Sequence, residues 1–190
     1  GPFWWSSWPA GHLDRPTREQ LTENYLKYGM GYANRVPLWE LVYHDCAVTT
    51  WYWGDTAGLL YESAPELSDR KDLFNILYAT TPLFWMNNTG YQLPDDIHRM
   101  LRTYHDTCHL HQLLAFQQLV KHDFLCEDRA VQRSTFADGT SVVVNFADEP
   151  RPYSSSGTDY SLAPNGYLVE SPNFVQQKLM VNDVPQTITA

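Results

Sequence analysis

An apolar run at residues 36–43, VPLWELVY, restricts the possible folds of this chain more than any other feature. The run is almost continuous after Pro37, which is typical of a strand that is buried on both faces of a parallel sheet. We therefore predict a buried parallel strand here. Alternate side chains of a barrel strand point inward, so Glu40 is expected to face the interior of a barrel.

Polar and aromatic residues follow this predicted strand. His44 and Asp45 end it, and Trp51, Trp53 and Asp55 lie on the loop after it. In β/α barrels the side chains at the carboxyl ends of the strands form the active face, so we expect these five residues to bind substrate. An indole can stack on a sugar ring, and Asp55 can bind hydroxyls or act in acid–base chemistry. The alternatives are a structural hydrogen bond or cap for the His-Asp pair and a purely covering role for the indoles.

His12 and Asp14, in the stretch GHLDRPT, are candidates for a loop of the preceding barrel unit, with His12 as a further substrate-binding residue. The same residues suit a capped turn before a helix. Thr17 and Gln20 have the spacing of a capping box, which predicts that such a helix begins there.

The next elements continue a strand–helix alternation. A second buried strand is predicted from Pro82 to Met86. The clearest helix starts at Pro94, a residue that suits the first helical position, and is predicted to extend to about His122. Its apolar stripe consists of Ile97, Leu101, Tyr104, Cys108, Ala115 and Leu119.

The character of the sequence changes after residue 122. Residues 123–190 alternate in places between apolar and polar side chains, and Asp138-Gly139 is a strong signal for a hairpin turn. The segment PRPYSSSGTDYS is interpreted as a turn-rich loop, and GYLVES and QQKLMVN as further strands. We predict a β-sandwich-type module for residues 123–190.

The predicted fold class is therefore α/β followed by all-β. Residues 1–122 are assigned to the last units of a β/α (TIM-type) barrel, and residues 123–190 to the β-sandwich-type module. A whole barrel needs about 250 residues, so a chain of this length is too short to close one alone.

Charge and composition restrict the partners. The formal net charge is −9, which disfavours binding to nucleic acid or to an anionic membrane. No apolar run approaches the roughly 18 residues of a membrane-spanning helix. The chain has 7 Trp and 12 Tyr, which suits a site that stacks on sugar rings and also donates hydrogen bonds. An oligosaccharide or glycan is therefore the expected partner.

No metal site or cofactor is predicted. His105 and His109 lie four residues apart on the long helix and share a face, as two ligands of a metal would. The HExxH pattern is missing, and no third ligand follows at a fixed spacing. A solvated or core-edge histidine pair is the favoured interpretation.

Several long phrases of the sequence resemble a known group of enzymes. These are RVPLWELVYHDCAVTTWYWGD, LYATTPLFWM, FLCEDRAVQRSTFADGTSVVVNF and APNGYLV. Together they are similar to the C-terminal part of large bacterial glycoside hydrolases related to the endo-α-N-acetylgalactosaminidase families. The likeness covers roughly residues 30 to 170 and implies a β/α barrel followed by a β-sandwich that contains the Phe-Ala-Asp-Gly-Thr hairpin.

The resemblance implies hydrolysis of O-glycosidic bonds, which needs two carboxylates. The catalytic pair of such enzymes is expected on earlier barrel strands, before Gly1, and a second polypeptide is one possible source of those strands. Within this chain Asp45 and Asp55 are the candidate catalytic carboxylates, although a role in substrate binding suits them better. The resemblance also implies a secreted or periplasmic location.

Two other interpretations stay open. One is a non-catalytic carbohydrate-binding or structural module. The other is a metal-dependent hydrolase that uses the helix histidines His105 and His109.

Overall fold

The chain packs a few helices against one large antiparallel sheet. The computed structural model describes residues 19–20, 23, 31–51, 68–82, 95–172 and 174–189. A 3-10 turn at Tyr32–Asn34 precedes helix α1 (Leu38–Tyr43), strand β1 (Thr50–Trp51), helix α2 (Ser68–Tyr78), strand β2 (Thr81–Pro82) and helix α3 (Asp95–Leu114). The sheet then consists of β3 (Leu119–Phe124), β4 (Val131–Phe136), β5 (Ser141–Asn145), β6 (Arg151–Ser155), β7 (Thr158–Ser171), β8 (Phe174–Val181) and β9 (Val184–Thr189).

The prediction of a buried strand at residues 36–43 is wrong, because most of this run forms helix α1. The helix satisfies its backbone groups internally, for example through the bonds from the N–H of Leu41 to the carbonyl of Pro37 (2.9 Å) and from the N–H of His44 to that of Glu40 (3.1 Å). No strand of the described residues pairs with it. Without a neighbouring strand, a helix is the way for such a run to pair its own backbone groups. Glu40 therefore lies on a helix and not on a barrel strand.

A short strand–helix–strand unit follows. Strands β1 and β2 pair in parallel, with Thr50 opposite Thr81 and Trp51 opposite Pro82. Helix α2 lies between them along the chain. This arrangement agrees with the predicted α/β character of the first part. Strand β2 overlaps the start of the predicted strand at 82–86, whose remaining residues lie outside the described part.

Helix α3 is shorter than predicted. It ends at Leu114, and residues 119–124, which were assigned to the helix or the segment after it, form strand β3. His111 lies in the last turn, where its Nδ1 is 2.7 Å from the carbonyl oxygen of Ala79. Strand β3 pairs antiparallel with β4, where Asp123 stands opposite Arg133 and contacts it at 2.7 Å.

The apolar stripe of α3 faces outward in its first half. Ile97, Leu101 and Tyr104 are exposed, whereas Thr103 and Thr107 are buried against the rest of the fold. Helix α3 thus packs through the hydroxyl groups of Thr103 and Thr107 in its middle and through Leu110 and Leu114 near its end, while Ile97, Leu101 and Tyr104 stay exposed. No helix in the described part of the chain combines the length and the apolar character that are needed to cross a bilayer.

The second part of the chain is all-β, as predicted. Seven antiparallel strands form one open sheet in the order β3-β4-β5-β7-β8-β9, and β6 pairs with β7. The described residues form this single large sheet and the two-residue pair β1–β2, so the sandwich itself is not established. Residues 151–160, interpreted from the sequence as a loop, instead form most of a hairpin of β6 and β7 that turns at Ser156-Gly157.

The hairpin predicted at Asp138-Gly139 is confirmed. It joins β4 to β5, and Gly139 has a φ of 91°, a conformation that glycine adopts at little cost. The Asp138 side chain accepts hydrogen bonds from the backbone N–H and the hydroxyl of Thr140, both at 2.9 Å. The turn signal in the sequence therefore has a direct structural cause.

Strand β7 bends where its partner changes. Its pairing with β8 shifts register between Leu162 and Tyr167. Gly166 lies in this stretch, and a Cβ atom there would stand 2.5 Å from the carbonyl oxygen of Lys178. The close approach of two backbones at this bend therefore requires glycine.

The main hydrophobic core joins the helices to the sheet. Residues 71–80, which comprise most of helix α2 and the two residues after it, are buried, and the helix packs against side chains such as Val142, Phe146 and Tyr167. A smaller core covers the other face of the sheet and contains Val131, Val143, Leu162, Leu168 and Leu179. The main core draws residues from both sides of the boundary predicted at 122/123, which falls within β3. The division into two domains stays a prediction.

Candidate functional site

The carboxyl ends of β1 and β2 lie at the same edge of their parallel pair. The pairing is supported by the backbone N–H and the hydroxyl of Thr81, which both donate to the carbonyl oxygen of Thr49 at 3.3 Å. Trp51 ends β1, so the segment with Trp53 and Asp55 leaves from this edge. Ligands of parallel α/β sheets bind outside the carboxyl ends of the strands. The structure thus brings the start of the predicted loop to a suitable place.

Most of the predicted site residues lie beyond the described part. Trp53, Asp55 and His12 lie outside the described residues, and for Trp51 the structure describes the backbone alone. Their predicted roles in substrate binding stay predictions. His44 and Asp45 are described, and both precede β1 at the end of helix α1.

His44 lies in the interior of the fold. Its side chain is buried, and its ring meets Phe136 edge-on with centroids 5.2 Å apart. Nδ1 lies 2.7 Å from the carbonyl oxygen of Gln117, and Nε2 lies 2.8 Å from that of Tyr78. A carbonyl oxygen accepts hydrogen bonds and cannot donate, so a ring nitrogen bonds to it only when that nitrogen carries the proton. In this structure His44 joins α1 to α2 and to the loop after α3.

Asp45 and Cys46 are exposed in the turn after α1. The thiol of Cys46 lies 3.4 Å from the carbonyl oxygen of Tyr43, which ties it to the helix end. Asp45 was predicted to lie at the end of a strand, and it instead follows a helix. Its exposure still leaves its carboxylate available to a ligand.

The helix histidines do not gather a metal site in the described structure. His109 lies against Phe174 with ring centroids 5.2 Å apart, and His105 packs against Tyr104. Within the described ranges no three His, Cys, Asp or Glu side chains are grouped as metal ligands. The arrangement therefore offers nothing to the metal-dependent interpretation.

A second place with ligand-binding character is a charged cleft between the 3-10 turn, α2 and the sheet. It has a volume of about 340 Å³. Its lining residues are Tyr32, Arg70, Asp128, Phe146, Ala147, Asp148, Glu149 and Arg151. We refer to this set of eight residues as the charged cleft.

Ion pairs organise the charged cleft. Arg151 contacts Asp128 at 2.7 Å and Glu149 at 2.9 Å, and Arg70 contacts Asp148 at 3.2 Å. A hydrogen bond from the thiol of Cys126 lowers the pKa of Asp128, and the backbone N–H of Ala130 and the nearby Arg151 guanidinium lower it further. Asp128 is therefore an ionised acceptor at neutral pH.

Aromatic rings form one side of the charged cleft. Tyr32 and Phe146 stack with centroids 5.0 Å apart and planes 6° from parallel. The guanidinium of Arg70 lies over the Tyr32 ring, 5.8 Å from its centroid. The cleft thus combines an apolar side with hydrogen-bond donors and acceptors.

A buried amide fixes the loop that carries much of the charged cleft. The side-chain nitrogen of Asn145 donates to the carbonyl oxygens of Glu149 and Ala163, both at 2.9 Å. Its side-chain oxygen accepts from the N–H of Ala147 at 3.0 Å. Because Asn145 is fully buried, these bonds hold residues 147–149 in place.

Sequence reasoning did not find the charged cleft. Its residues are spread from position 32 to position 151, and only tertiary packing of the turn, α2 and the sheet brings them together. The local signal was the cluster of charges in DEPR at residues 148–151, which overlaps the stretch interpreted as a turn-rich loop only at Pro150 and Arg151.

Comparisons with known proteins place the chain among glycosidases. The family model for glycosyl hydrolases related to the GH101 family, GH129, matches residues 1–135. Solved structures of alpha-N-acetylgalactosaminidase NagBb from Bifidobacterium bifidum also match. The quadruple mutant is 31% identical over 68% of this chain and 18% of that chain, with a TM-score of 0.42. The ligand-free form is 32% identical over 68% and 17%, with a TM-score of 0.41. The GalNAc complex is 30% identical over 67% and 18%, with a TM-score of 0.39.

The chain spans less than a fifth of the length of these solved enzymes. No curated protein matches the chain.

Proposed function

The chain belongs to the GH129 family of glycosyl hydrolases, which is related to the GH101 family, and on this premise we propose that it supplies substrate-binding residues to the rim of a β/α barrel. It is a carbohydrate-active protein related to glycoside hydrolases. The proposed reaction is the hydrolysis of O-glycosidic bonds, carried out only together with barrel units beyond this chain.

The observation that carries the proposal is the parallel pair β1–β2. Both strands end at one edge, and the segment with Trp53 and Asp55 follows β1 directly. A two-stranded sheet with two residues in each strand is too small to be stable alone, so further strands beside it are expected. Barrel units would provide them.

The exposed stripe of helix α3 supports the same proposal. Ile97, Leu101 and Tyr104 are 42%, 48% and 60% exposed. Contiguous apolar surface of this kind marks a contact site. In a β/α barrel each helix packs against the neighbouring helices of the outer ring, so we propose that an adjacent barrel unit covers this stripe.

The substrate class follows from the family. The matching solved enzyme is an alpha-N-acetylgalactosaminidase, and we propose a glycan with a terminal N-acetylgalactosamine as the substrate of the complete enzyme. Asp45 and Asp55 are the candidate carboxylates of this chain, with Trp51 and Trp53 stacking on the sugar and His12 as a further contact, whereas the buried His44 is assigned a structural role. Since hydrolysis needs two carboxylates, those of this chain act in substrate binding if the pair lies elsewhere in the barrel.

A kinetic test in the enzyme with a complete barrel examines the proposal. With a p-nitrophenyl α-N-acetylgalactosaminide probe, Asp45→Asn and Asp55→Asn should each lower kcat/KM about tenfold or more, because each removes a charged hydrogen-bond acceptor. A rise in KM identifies a binding role, whereas a fall of about 10²–10⁴ in kcat identifies acid–base chemistry. Asp183→Asn, in the exposed turn between β8 and β9, is the matched control.

Two results would overturn the proposal. One is wild-type kcat/KM in both the Asp45 and Asp55 variants. The other is hydrolysis of the probe by the 190-residue chain alone, because the chain would then need no further barrel units.

A non-catalytic carbohydrate-binding module is the second candidate. The sheet favours it, because the sheet buries core side chains on both faces within this chain. The binding of glycans by the isolated chain, with no loss in the Asp45 and Asp55 variants, would support this candidate.

We also propose a secreted or periplasmic location from the family resemblance, and cell fractionation tests it.

A further inference from the structure

We infer that the charged cleft is a binding site for a neutral saccharide unit, separate in its residues from the predicted rim. None of its eight lining residues belongs to β1, to β2 or to the predicted rim residues. The inference rests on the proposed carbohydrate function for its ligand class, but it requires no catalysis by this chain.

The size of the cleft suits a small ligand. Its volume of about 340 Å³ lies at the lower end of the range of roughly 300–1,000 Å³ for small-molecule sites. A single sugar unit, or the end of a longer chain, is an appropriate occupant. An extended polymer would have to leave through the open side.

The charge of the lining selects a neutral ligand. Two guanidinium groups, of Arg70 and Arg151, face the three carboxylates of Asp128, Asp148 and Glu149, which gives an excess of one negative charge. An anion such as a phosphate would be repelled by this excess negative charge. A metal ion would have to displace guanidinium groups that already contact the carboxylates at 2.7–3.2 Å.

The lining also matches the hydrogen-bonding pattern of a sugar. A hydroxyl group both donates and accepts, so it can use a carboxylate and a guanidinium that stand side by side. The side chains of Asp148 and Glu149 are 83% and 68% exposed and have accessible acceptor oxygens. The side chains of Arg70 and Arg151 are only 13% and 31% exposed and form the wall behind them.

The aromatic part of the cleft is small and consists of Tyr32 and Phe146. Tyr32 is only partly buried, and Phe146 supports it from below through their stacked rings. Tyr is favoured in such sites because it offers apolar area together with a polar hydroxyl.

The site is organised before a ligand arrives. Asn145 holds the backbone of residues 147–149, and Arg151 fixes Asp128 and Glu149 on its two sides. Pre-organisation of this kind reduces the entropy that a weak ligand must overcome.

The test is a titration of the ¹⁵N-labelled 190-residue chain with free N-acetylgalactosamine, followed by NMR. We expect shifts at the amides of Tyr32 and Ala147–Glu149. The variants Asp148→Asn and Glu149→Gln should weaken binding about tenfold, since each replaces a charged acceptor of an exposed side chain without a change in shape. Asp69→Asn is the matched control, because Asp69 forms a comparable ion pair with Arg102 at 2.8 Å outside the cleft.

A charged probe sharpens the test. Galacturonate carries one negative charge and should bind the cleft more weakly than the neutral sugar. Equal or tighter binding of galacturonate would overturn the assignment of a neutral ligand.

The inference fails if millimolar N-acetylgalactosamine shifts none of the cleft amides, or if it binds with equal affinity to the cleft variants. These results are independent of the kinetic test of Asp45 and Asp55. The rim proposal can therefore fail while the cleft binds sugar, and the cleft can fail while the rim proposal holds.

Discussion

The antiparallel sheet and the segment from Val36 to Val48 are both rich in apolar side chains, but only the sheet buries them. In β5, Val142, Val143 and Val144 have no exposed surface. In contrast, Leu38 and Val42 of helix α1 are 68% and 61% exposed. Apolar content alone thus does not decide burial, because an element also needs partners that can cover it.

The sheet finds those partners within the chain. Its strands pair with one another, α2 and α3 cover one face, and the β6–β7 hairpin adds Tyr153 and Tyr160 to the second core. On one side, helix α1 is joined to the rest of the fold by His44, and on the other side it is exposed to solvent. The central strands of the sheet are therefore covered within this chain, whereas helix α1 exposes apolar side chains that nothing in the described part covers.

The largest expected effect on stability comes from a substitution in the core of the sheet. Phe136→Ala on β4 should lower the free energy of unfolding by about 3–5 kcal/mol, because the residue is 1% exposed and its removal leaves a cavity. Leu38→Ala on α1 should change it by less than about 0.5 kcal/mol, because Leu38 already lies in water. Urea unfolding of the isolated chain measures both values.

The same pair of variants tests whether barrel units cover α1. In the enzyme with a complete barrel, Leu38→Ala should cost about 2 kcal/mol or more, because the side chain would then be buried. An equally small cost of Leu38→Ala in the isolated chain and in the complete enzyme would contradict the idea that barrel units cover α1.

A smaller effect concerns the junction of α3 with the sheet. Burial, together with the nearby Asp72, raises the pKa of Asp106 from 3.8 to about 6. Lys178, Arg102 and the hydroxyl of Tyr167, which lies 3.3 Å away, only partly oppose this. The folded state therefore holds this proton more tightly than the unfolded chain does.

The sign of the pH dependence follows from these two pKa values. Asp106 contributes its stabilisation fully below pH 3.8, and this contribution is lost as the pH rises through about 6. Asp106→Asn should therefore be more stable than the wild type at pH 7, by up to about 3 kcal/mol, and nearly equal to it below pH 4. Unfolding at a series of pH values measures the difference, and a constant difference across that series would contradict the assignment.

The smallest effect tests the hairpin of the sheet. Gly139→Ala should cost about 1 kcal/mol, because a φ of 91° is unfavourable for alanine. Nothing lies within 4 Å of the added Cβ, so the cost is conformational and not steric. Thermal unfolding beside Ala137→Ser, an exposed neighbour, provides the control, and a cost well above 2 kcal/mol would show that the turn does more than reverse the chain.

The same contrast explains which parts of the fold could be predicted. The hairpin at Asp138-Gly139 depends on local backbone chemistry, so the sequence sufficed there. The run at 36–43 was misassigned because a short apolar run suits a buried strand and a helix equally well. Neighbouring strands would have decided between them, and no described strand lies beside it.

The candidate sites also differ in how far the sequence alone could predict them. The resemblance carried by the long sequence phrases predicted the family, whereas the rim of the barrel stays a prediction. The buried position of His44 was outside the reach of the sequence, because its partners, Tyr78 and Gln117, are 34 and 73 residues away. The charged cleft was missed for the same reason, since Tyr32 and Arg151 meet only after the sheet has packed on α2.

The burial of helix α2 also sets an order of events during synthesis. Its residues 71–80 are covered by side chains as late in the chain as Tyr167 and Phe174. At about 5–20 residues per second, those side chains are made on the order of ten seconds after the helix. An isolated helix of 11 residues is marginal in water, so α2 cannot persist alone over that interval. Helix α2 is therefore expected to become stably ordered only after β7 and β8, which cover it, have been synthesised.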